Sequence, residues 1–346
     1  MRRVPTNPAV SAELVPMFKR HLELCKVKPG EAVVAFTNTM TNPSYAAALL
    51  SAASFVGAEA YQIVVPSDSD WTRSKSIIDA WKSADLVVGM LQSSDVQWIY
   101  SDAHNEALDA GTRTLMVEEP EDILLRLFPD EEIRGRGEAG AKILGPGKTL
   151  RMTSDAGTDL VVSKVGRKAA AQYGVSDVPG RWDHWPSGMV STAPIEESAE
   201  GTLVIDEGDV LLPIGRYAES RVSLTLREGR VLAIEGGTDA RLMRDYFEAA
   251  GDDRAYLISH IGWGNEHRAS WNAFGLRNWE GGGVMDVEGY YGNVLIAFGS
   301  NFFRNLGGAN HVGFHFDVPT RNHSFWVDDV QVLDRGRFVL PQLVRE

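Results

Sequence analysis

The sequence holds a single cysteine, Cys25, so no disulfide can close within the chain and no cysteine-rich zinc module can be built. No apolar run approaches the ~18 residues that a membrane-crossing helix requires. The opening residues, MRRVPTNPAV, put Pro, Thr, Asn and Pro where a signal peptide needs an apolar stretch, so a cytoplasmic protein is expected. Basic residues are scarce relative to acidic ones: 34 Lys and Arg face 47 Asp and Glu, for a net charge of −13. Binding along a phosphate backbone needs the reverse balance, so no nucleic-acid partner is expected. A dinucleotide-binding fingerprint is missing too, because no G-x-G-x-x-G follows the first strand candidate.

What the chain does have is length, 346 residues of which 44% are hydrophobic. That is enough for two domains of roughly 100–200 residues each, with cores that need no covalent staple. The first part alternates helix-like and strand-like segments. Helical spacing runs over Ala9–Val27, and Pro29 and Gly30 end it. Strands are predicted at Glu31–Phe36, Ala60–Val65, Asp85–Met90 and Arg113–Val117. Helices are predicted between them, at Tyr45–Phe55, Ser74–Ser83 and Ser101–Ala110. Short apolar strands separated by helices imply a parallel sheet, hence a Rossmann-like α/β domain over residues 1–145.

Beyond residue 145 the pattern changes to strands joined by turns: Thr149–Met152, Asp159–Lys164, Thr202–Ile205, Val222–Arg227 and Arg230–Glu235. Turn residues lie at 206–209 and at Glu228 and Gly229. One helix, Ala240–Ala250, is expected to be capped by Thr238 or Asp239, and Gly281, Gly282 and Gly283 mark a loop. This gives a larger, β-rich α+β catalytic domain over residues 146–346. Between the domains, GPGKT within Lys142–Thr149 resembles a phosphate loop but lacks the first glycine at the required spacing, and reads as an interdomain turn.

Five of the eight histidines fall within residues 260–323. In a strand, side chains alternate between faces, so His315 and Asp317 would project together while Phe314 and Phe316 go to the buried side. A third metal ligand can come from His260, where Gly262 and Gly264 permit close backbone approach; His267 and His311 are the alternatives. Two imidazoles and a carboxylate make the facial triad of non-haem iron(II) oxygenases, but zinc hydrolases use the same kinds of ligand. A second segment, GRWDHWPSGMVSTAP at Gly180–Pro194, places Asp183 and His184 between Trp182 and Trp185. These can form an acid–base pair or simply an aromatic corner.

TSDAGTDL (Thr153–Leu160), PSGMVSTAP (Pro186–Pro194), HIGWGN (His260–Asn265) and HFD (His315–Asp317) resemble, in order, the thermophilic-type metallo-aminopeptidases. Those carry two metals bridged through glutamates, and at the matching positions this sequence has Met189 and His260. A thioether cannot replace a bridging carboxylate between hard cations. The departures resemble instead a sister group, the 2,5-dihydroxypyridine 5,6-dioxygenases. That resemblance implies one iron(II) held by His260, His315 and Asp317, with His184 as a pocket acid–base. It implies His104 as a second pocket histidine, of its own or a neighbouring subunit's site. The implied reaction opens a dihydroxypyridine between C5 and C6 with O2, giving N-formylmaleamate, in a homo-oligomer. Trp182, Trp185 and Trp263 are candidate walls for the ring, or core. The alternative is a metallo-aminopeptidase-like hydrolase.

Overall fold

The structure is a computed structural model, described over residues 8–67, 69–91, 98–276 and 283–345. The chain opens with α1 (Pro8–Leu24), whose Leu14, Met17, Phe18 and Leu22 are buried at helical spacing along one face. Then β1 (Ala32–Asn38), α2 (Pro43–Phe55), β2 (Glu59–Val65), α3 (Lys75–Lys82), β3 (Leu86–Gly89), α4 (Asp102–Asp109), β4 (Arg113–Met116) and α5 (Glu121–Arg126) alternate. All the strand pairings among them are parallel, as the alternating pattern predicts. Val33 to Phe36 and Leu86 to Val88 are buried on both faces, the signature of strands covered by helices.

Next come α6 (Glu131–Leu144), β5 (Thr149–Thr153), β6 (Asp159–Ser163), β7 (Ala170–Gln172), β8 (Trp182–His184), β9 (Met189–Thr192) and β10 (Glu200–Ile205). They are followed by β11 (Val210–Leu211), β12 (Arg216–Tyr217), β13 (Val222–Arg227), β14 (Arg230–Gly236), α7 (Thr238–Ala249) and β15 (Ile258–Gly264). The chain ends through α8 (Trp271–Leu276), α9 (Met285–Glu288), β16 (Val294–Gly299), β17 (His315–Thr320), β18 (Ser324–Val327), β19 (Val330–Asp334) and β20 (Arg337–Phe338). An eight-stranded sheet runs β14-β13-β10-β6-β5-β18-β19-β20, and a five-stranded one runs β17-β16-β15-β9-β7. Both are antiparallel throughout. A parallel-sheet α/β region is thus followed by a larger antiparallel β-rich region.

The chain forms two compact units, Met1–Pro129 with Tyr173–Ser187, and Asp130–Gln172 with Gly188–Glu346. This corrects the single cut expected at residue 145, for two reasons. First, α6 packs on β7 and β9 and so belongs to the second unit. Second, β8 returns to the parallel sheet, pairing with β4 as its fifth strand. The GPGKT stretch is accordingly not an interdomain turn; it joins α6 to β5 inside the second unit.

Two smaller expectations also change. The cap of α7 is Gly237, and the Asp239 carboxylate instead accepts from the Glu219 and Ser220 backbone N–H groups. Gly281 and Gly282 lie outside the described residues. The turn at Glu228 and Gly229 is confirmed, both residues being left-handed at φ 47 and 72. No described helix is long and apolar enough to cross a membrane.

Candidate metal centre

The order β17-β16-β15 sets the geometry, because His315 and Asp317 stand on one strand, His260 on another, and β16 lies between. On β17, Phe316 turns to the opposite side and packs on Tyr246 and Phe247 at ring separations of 5.3 and 5.2 Å. That anchoring leaves His315 and Asp317 on the other face together. Directly opposite them on β16 stand Gly299 and Ala297, the two smallest residues of VLIAFG. Paired residues share a face, so the middle strand raises nothing bulky between the flanking ones.

His260 needs a further device. The pairing of β15 with β16 steps from Ile258↔Phe298 to Ile261↔Ile296, so three steps on one strand match two on the other. A bulge at Ser259 and His260 therefore re-aims the imidazole while Ile258 and Ile261 stay in the core. The glycines after it serve the close approach expected of them. A Cβ on Gly262 would lie 1.9 Å from the Val190 carbonyl oxygen, and one on Gly264 2.4 Å from the backbone of Gly289. Neither needs a left-handed backbone.

The three side chains converge. The Nε2 of His260 is 3.2 Å from the Nε2 of His315 and 3.1 Å from Asp317 Oδ1, and His315 Nε2 is 3.1 Å from Asp317 Oδ2. Their ligating atoms lie within 4.8 Å of one another, and among the described residues they are the group placed to hold a metal ion. The other ring nitrogen of His315, Nδ1, is 3.0 Å from the Ser300 carbonyl oxygen, which can only accept. Nδ1 therefore donates to that carbonyl, which directs Nε2 at Asp317. Two imidazole nitrogens and a carboxylate gathered at about 3 Å offer a ligand set for a cation, and that spacing suits ligands each ~2.0–2.2 Å from one ion. Burial pushes the Asp317 carboxyl up, but the facing His315 and His260 outweigh it and hold the group well below the usual carboxylate range.

The alternatives to His260 are engaged elsewhere. His267 Nδ1 accepts from Arg136 Nη2 at 2.7 Å, and His311 stacks on Phe302 with centroids 4.5 Å apart.

In the parallel-sheet unit the expected Asp183–His184 pair does not form, since adjacent strand residues face opposite ways. Asp183 is fully buried and accepts from the backbone N–H groups of Tyr173, Gly174 and His184 and from Arg181. His184 is left with an unpartnered Nε2, and burial pushes its imidazole down to about 4. His104 is wholly buried, with Nδ1 2.7 Å from the Ile99 carbonyl and Nε2 2.8 Å from Thr114 Oγ1. Trp185 and Trp263 are core residues rather than pocket walls. Trp185 stacks on His21 at 4.0 Å between Phe18 and Phe128, and Trp263 packs on Phe325. Only Trp182 of the three keeps some exposure.

Sequence reasoning missed Ser259, Ala297, Gly299 and Ser300, which shape and orient the cluster. The available signal was a pair of small residues and a serine closing an otherwise apolar strand.

The fold and the three-residue cluster together define a two-unit protein that, among its described residues, brings two histidines and an aspartate together where they could hold a metal ion. Residues 13–340 match the family described as NicX, 2,5-dihydroxypyridine 5,6-dioxygenase, and this chain belongs to that family. It is 34% identical over 351 residues to the curated 2,5-dihydroxypyridine 5,6-dioxygenase of Pseudomonas putida KT2440, covering 97% of this chain and 98% of that one. The solved structure of the Pseudomonas putida KT2440 dioxygenase superposes with a TM-score of 0.90 over 99% of this chain and 100% of that one. AmpT from Thermus thermophilus shares the fold, at TM-score 0.67 and 14% identity over 95% of this chain and 99% of that one.

Proposed function

We propose that this protein is an iron(II)-dependent ring-cleaving dioxygenase that opens 2,5-dihydroxypyridine, or a close analogue, between C5 and C6 to N-formylmaleamate. The observation that carries the reading is the convergence of His260, His315 and Asp317 with their ligating atoms facing one another, in a chain of this family. His260, His315 and Asp317 would hold the ion. Bound iron(II) would supply the redox chemistry that couples O2 to ring opening. Both oxygen atoms enter the product, so no external reductant is needed.

The chain's own residues orient and handle protons. Ser300 fixes the His315 tautomer, and Phe316 anchors the strand behind it. His184 and His104 are our candidates for moving the substrate's hydroxyl proton. His184 has its Nε2 unpartnered, whereas His104 can act only when its hydrogen bond to Ile99 or Thr114 opens. Trp182 is the remaining candidate to pack on the ring. A cytoplasmic homo-oligomer is the accompanying expectation. The hydrolase reading keeps only the shared fold, and Met189, buried in β9, stands where its bridging carboxylate is required.

Anaerobic loading with iron(II), followed by oxygen-uptake assays with 2,5-dihydroxypyridine and a leucyl amide, tests this. Oxygen consumed with the first substrate and no cleavage of the second is the expected result. Peptide cleavage without oxygen use would overturn it.

A further inference from the structure

Between β16 and β17 the chain makes an excursion that begins at Ser300, the residue whose carbonyl accepts from His315. That carbonyl also accepts from Ser259 Oγ at 2.6 Å, so the neighbour of one metal-ligand candidate and the orienting group of another meet at the same oxygen. The excursion is closed by two asparagines. Asn301 N donates to the Asn310 carbonyl at 3.0 Å, and Asn310 N donates to Asn301 Oδ1 at 2.8 Å. Asn310 Nδ2 adds bonds to the Gly299 and Arg254 carbonyls at 2.7 and 3.0 Å.

A buried carboxylate ties this clasp down. Glu196 Oε1 accepts from Asn301 Nδ2 and from Ala309 N, each at 2.9 Å, and its Oε2 pairs with Arg167 Nη2. Asn301 Nδ2 reaches the Ser259 carbonyl as well, at 3.3 Å. Ser259, Ser300, Asn301, Asn310 and Glu196 are all buried. These groups are largely shielded from water, so the loss of one leaves others poorly satisfied.

We infer that Glu196, through Asn301, is a positioning residue for the metal centre: it holds the 300–310 excursion so that the Ser300 carbonyl fixes the tautomer and direction of His315. The carboxylate works through Asn301 and Ala309 rather than on the three ligand candidates directly. It acts by setting which nitrogen of His315 is protonated, and partners of that kind govern metal affinity. The inference rests on the metal reading given above.

The test is titration of the metal-free protein with Co(II) under anaerobic conditions. It is followed by the visible ligand-field spectrum and by a thermal melt of the metal-free form. Glu196→Ala is expected to weaken Co(II) binding roughly 10–100-fold and to shift the spectrum. Glu196→Gln keeps an oxygen acceptor for Asn301 and Ala309 and is expected to recover most of the affinity. Asn301→Asp sets a carboxylate against Glu196 while keeping the acceptor for Asn310 N. It is expected to weaken binding in the same direction, and it serves as the test if Glu196→Ala does not fold. Should Glu196→Ala and Asn301→Asp lower only the melting point, with affinity within twofold of the parent and the spectrum unchanged, the positioning role is wrong while the metal centre stands. Should the parent bind no metal, or His315→Ala bind as well as the parent, the metal reading falls and this inference with it.

Discussion

In β8 an aspartate and a histidine are neighbours, Asp183 and His184; in β17 they are separated by one residue, His315 and Asp317. The adjacent pair diverges. Asp183 turns into the parallel-sheet unit, where three backbone N–H groups and Arg181 surround it, and His184 turns the other way. The separated pair converges on a common point with His260. The same two side chains therefore make a structural knot in one strand and a candidate metal centre in the other. The period of the strand, not the composition, decides which.

The largest effect expected from breaking this comparison is at the converging pair. His315→Ala, Asp317→Ala or His260→Ala should each cut Fe(II) affinity by more than the roughly 10–100-fold that losing an orienting partner costs. Activity with 2,5-dihydroxypyridine should fall to background, as read by anaerobic titration and oxygen uptake. Asp183→Ala should leave the metal titration unchanged.

The next contrast is in stability. Asp183 is a buried carboxylate that accepts from Arg181 and from three backbone N–H groups, so Asp183→Asn weakens a closed network and should cost about 3–5 kcal/mol. Asp317→Asn in the metal-free protein removes a carboxylate that faces imidazoles rather than a guanidinium. It should cost less than Asp183→Asn, because a histidine facing an amide can shed its charge and an arginine cannot. Urea unfolding of the two metal-free variants gives the comparison, and equal losses would refute it.

The contrast extends to pH. Burial pushes His21, His104 and His184 in the first unit and His323 in the second down to about 4. An unfolded histidine titrates near 6.5, so between about 6.5 and 4 the unfolded chain binds more protons than the folded one. Stability is therefore complete above that window and is lost as pH falls through it, by up to roughly 3 kcal/mol per residue. With three of the four in it, the parallel-sheet unit should give way first on acidification. His21→Gln should flatten the dependence of unfolding free energy on pH in that window by about 1.4 kcal/mol per unit.

How much of this could be read beforehand follows from which forces are local. The i, i+2 spacing of His315 and Asp317 was legible because strand alternation is a backbone property. The strand Val222–Arg227 was legible to the residue, and its neighbours within one or two, because turn residues bracket them. The helix α6, EEIRGRGEAGAKIL, was not, since Gly135, Gly137 and Gly140 lower its intrinsic propensity. Packing overrides that cost. A Cβ on Gly140 would lie 2.8 Å from Val190 Cγ2 and 3.2 Å from Trp263, so the glycine is what lets α6 sit down on the sheet. The bulge that turns His260 inward was hidden for the same reason, being a mismatch between two strands far apart in sequence. Trp185 and Trp263 could be placed in the core only once their partners were known, because an aromatic beside glycine and histidine reads equally as wall or filler.

The smallest expected effect decides the last ambiguity of the converging site. His267 and His311 lie in the same histidine-rich stretch as His260, and either has the right chemistry to be a ligand. His267 Nδ1 is committed to Arg136, whose guanidinium stacks over the Tyr291 ring at 5.2 Å, and Glu132 stands 3.8 Å away. His311 lies flat on Phe302, at an interplanar angle of 7°. His267→Gln and His311→Gln should therefore each leave metal affinity and the Co(II) spectrum within twofold of the parent. His267→Gln should cost at most the roughly 1.5–3 kcal/mol of a charge-assisted hydrogen bond in a urea melt. A tenfold loss of affinity in either variant, alongside normal binding in His260→Ala, would move the third ligand off the bulge. The reading of β15 as the strand that completes the site would then be lost.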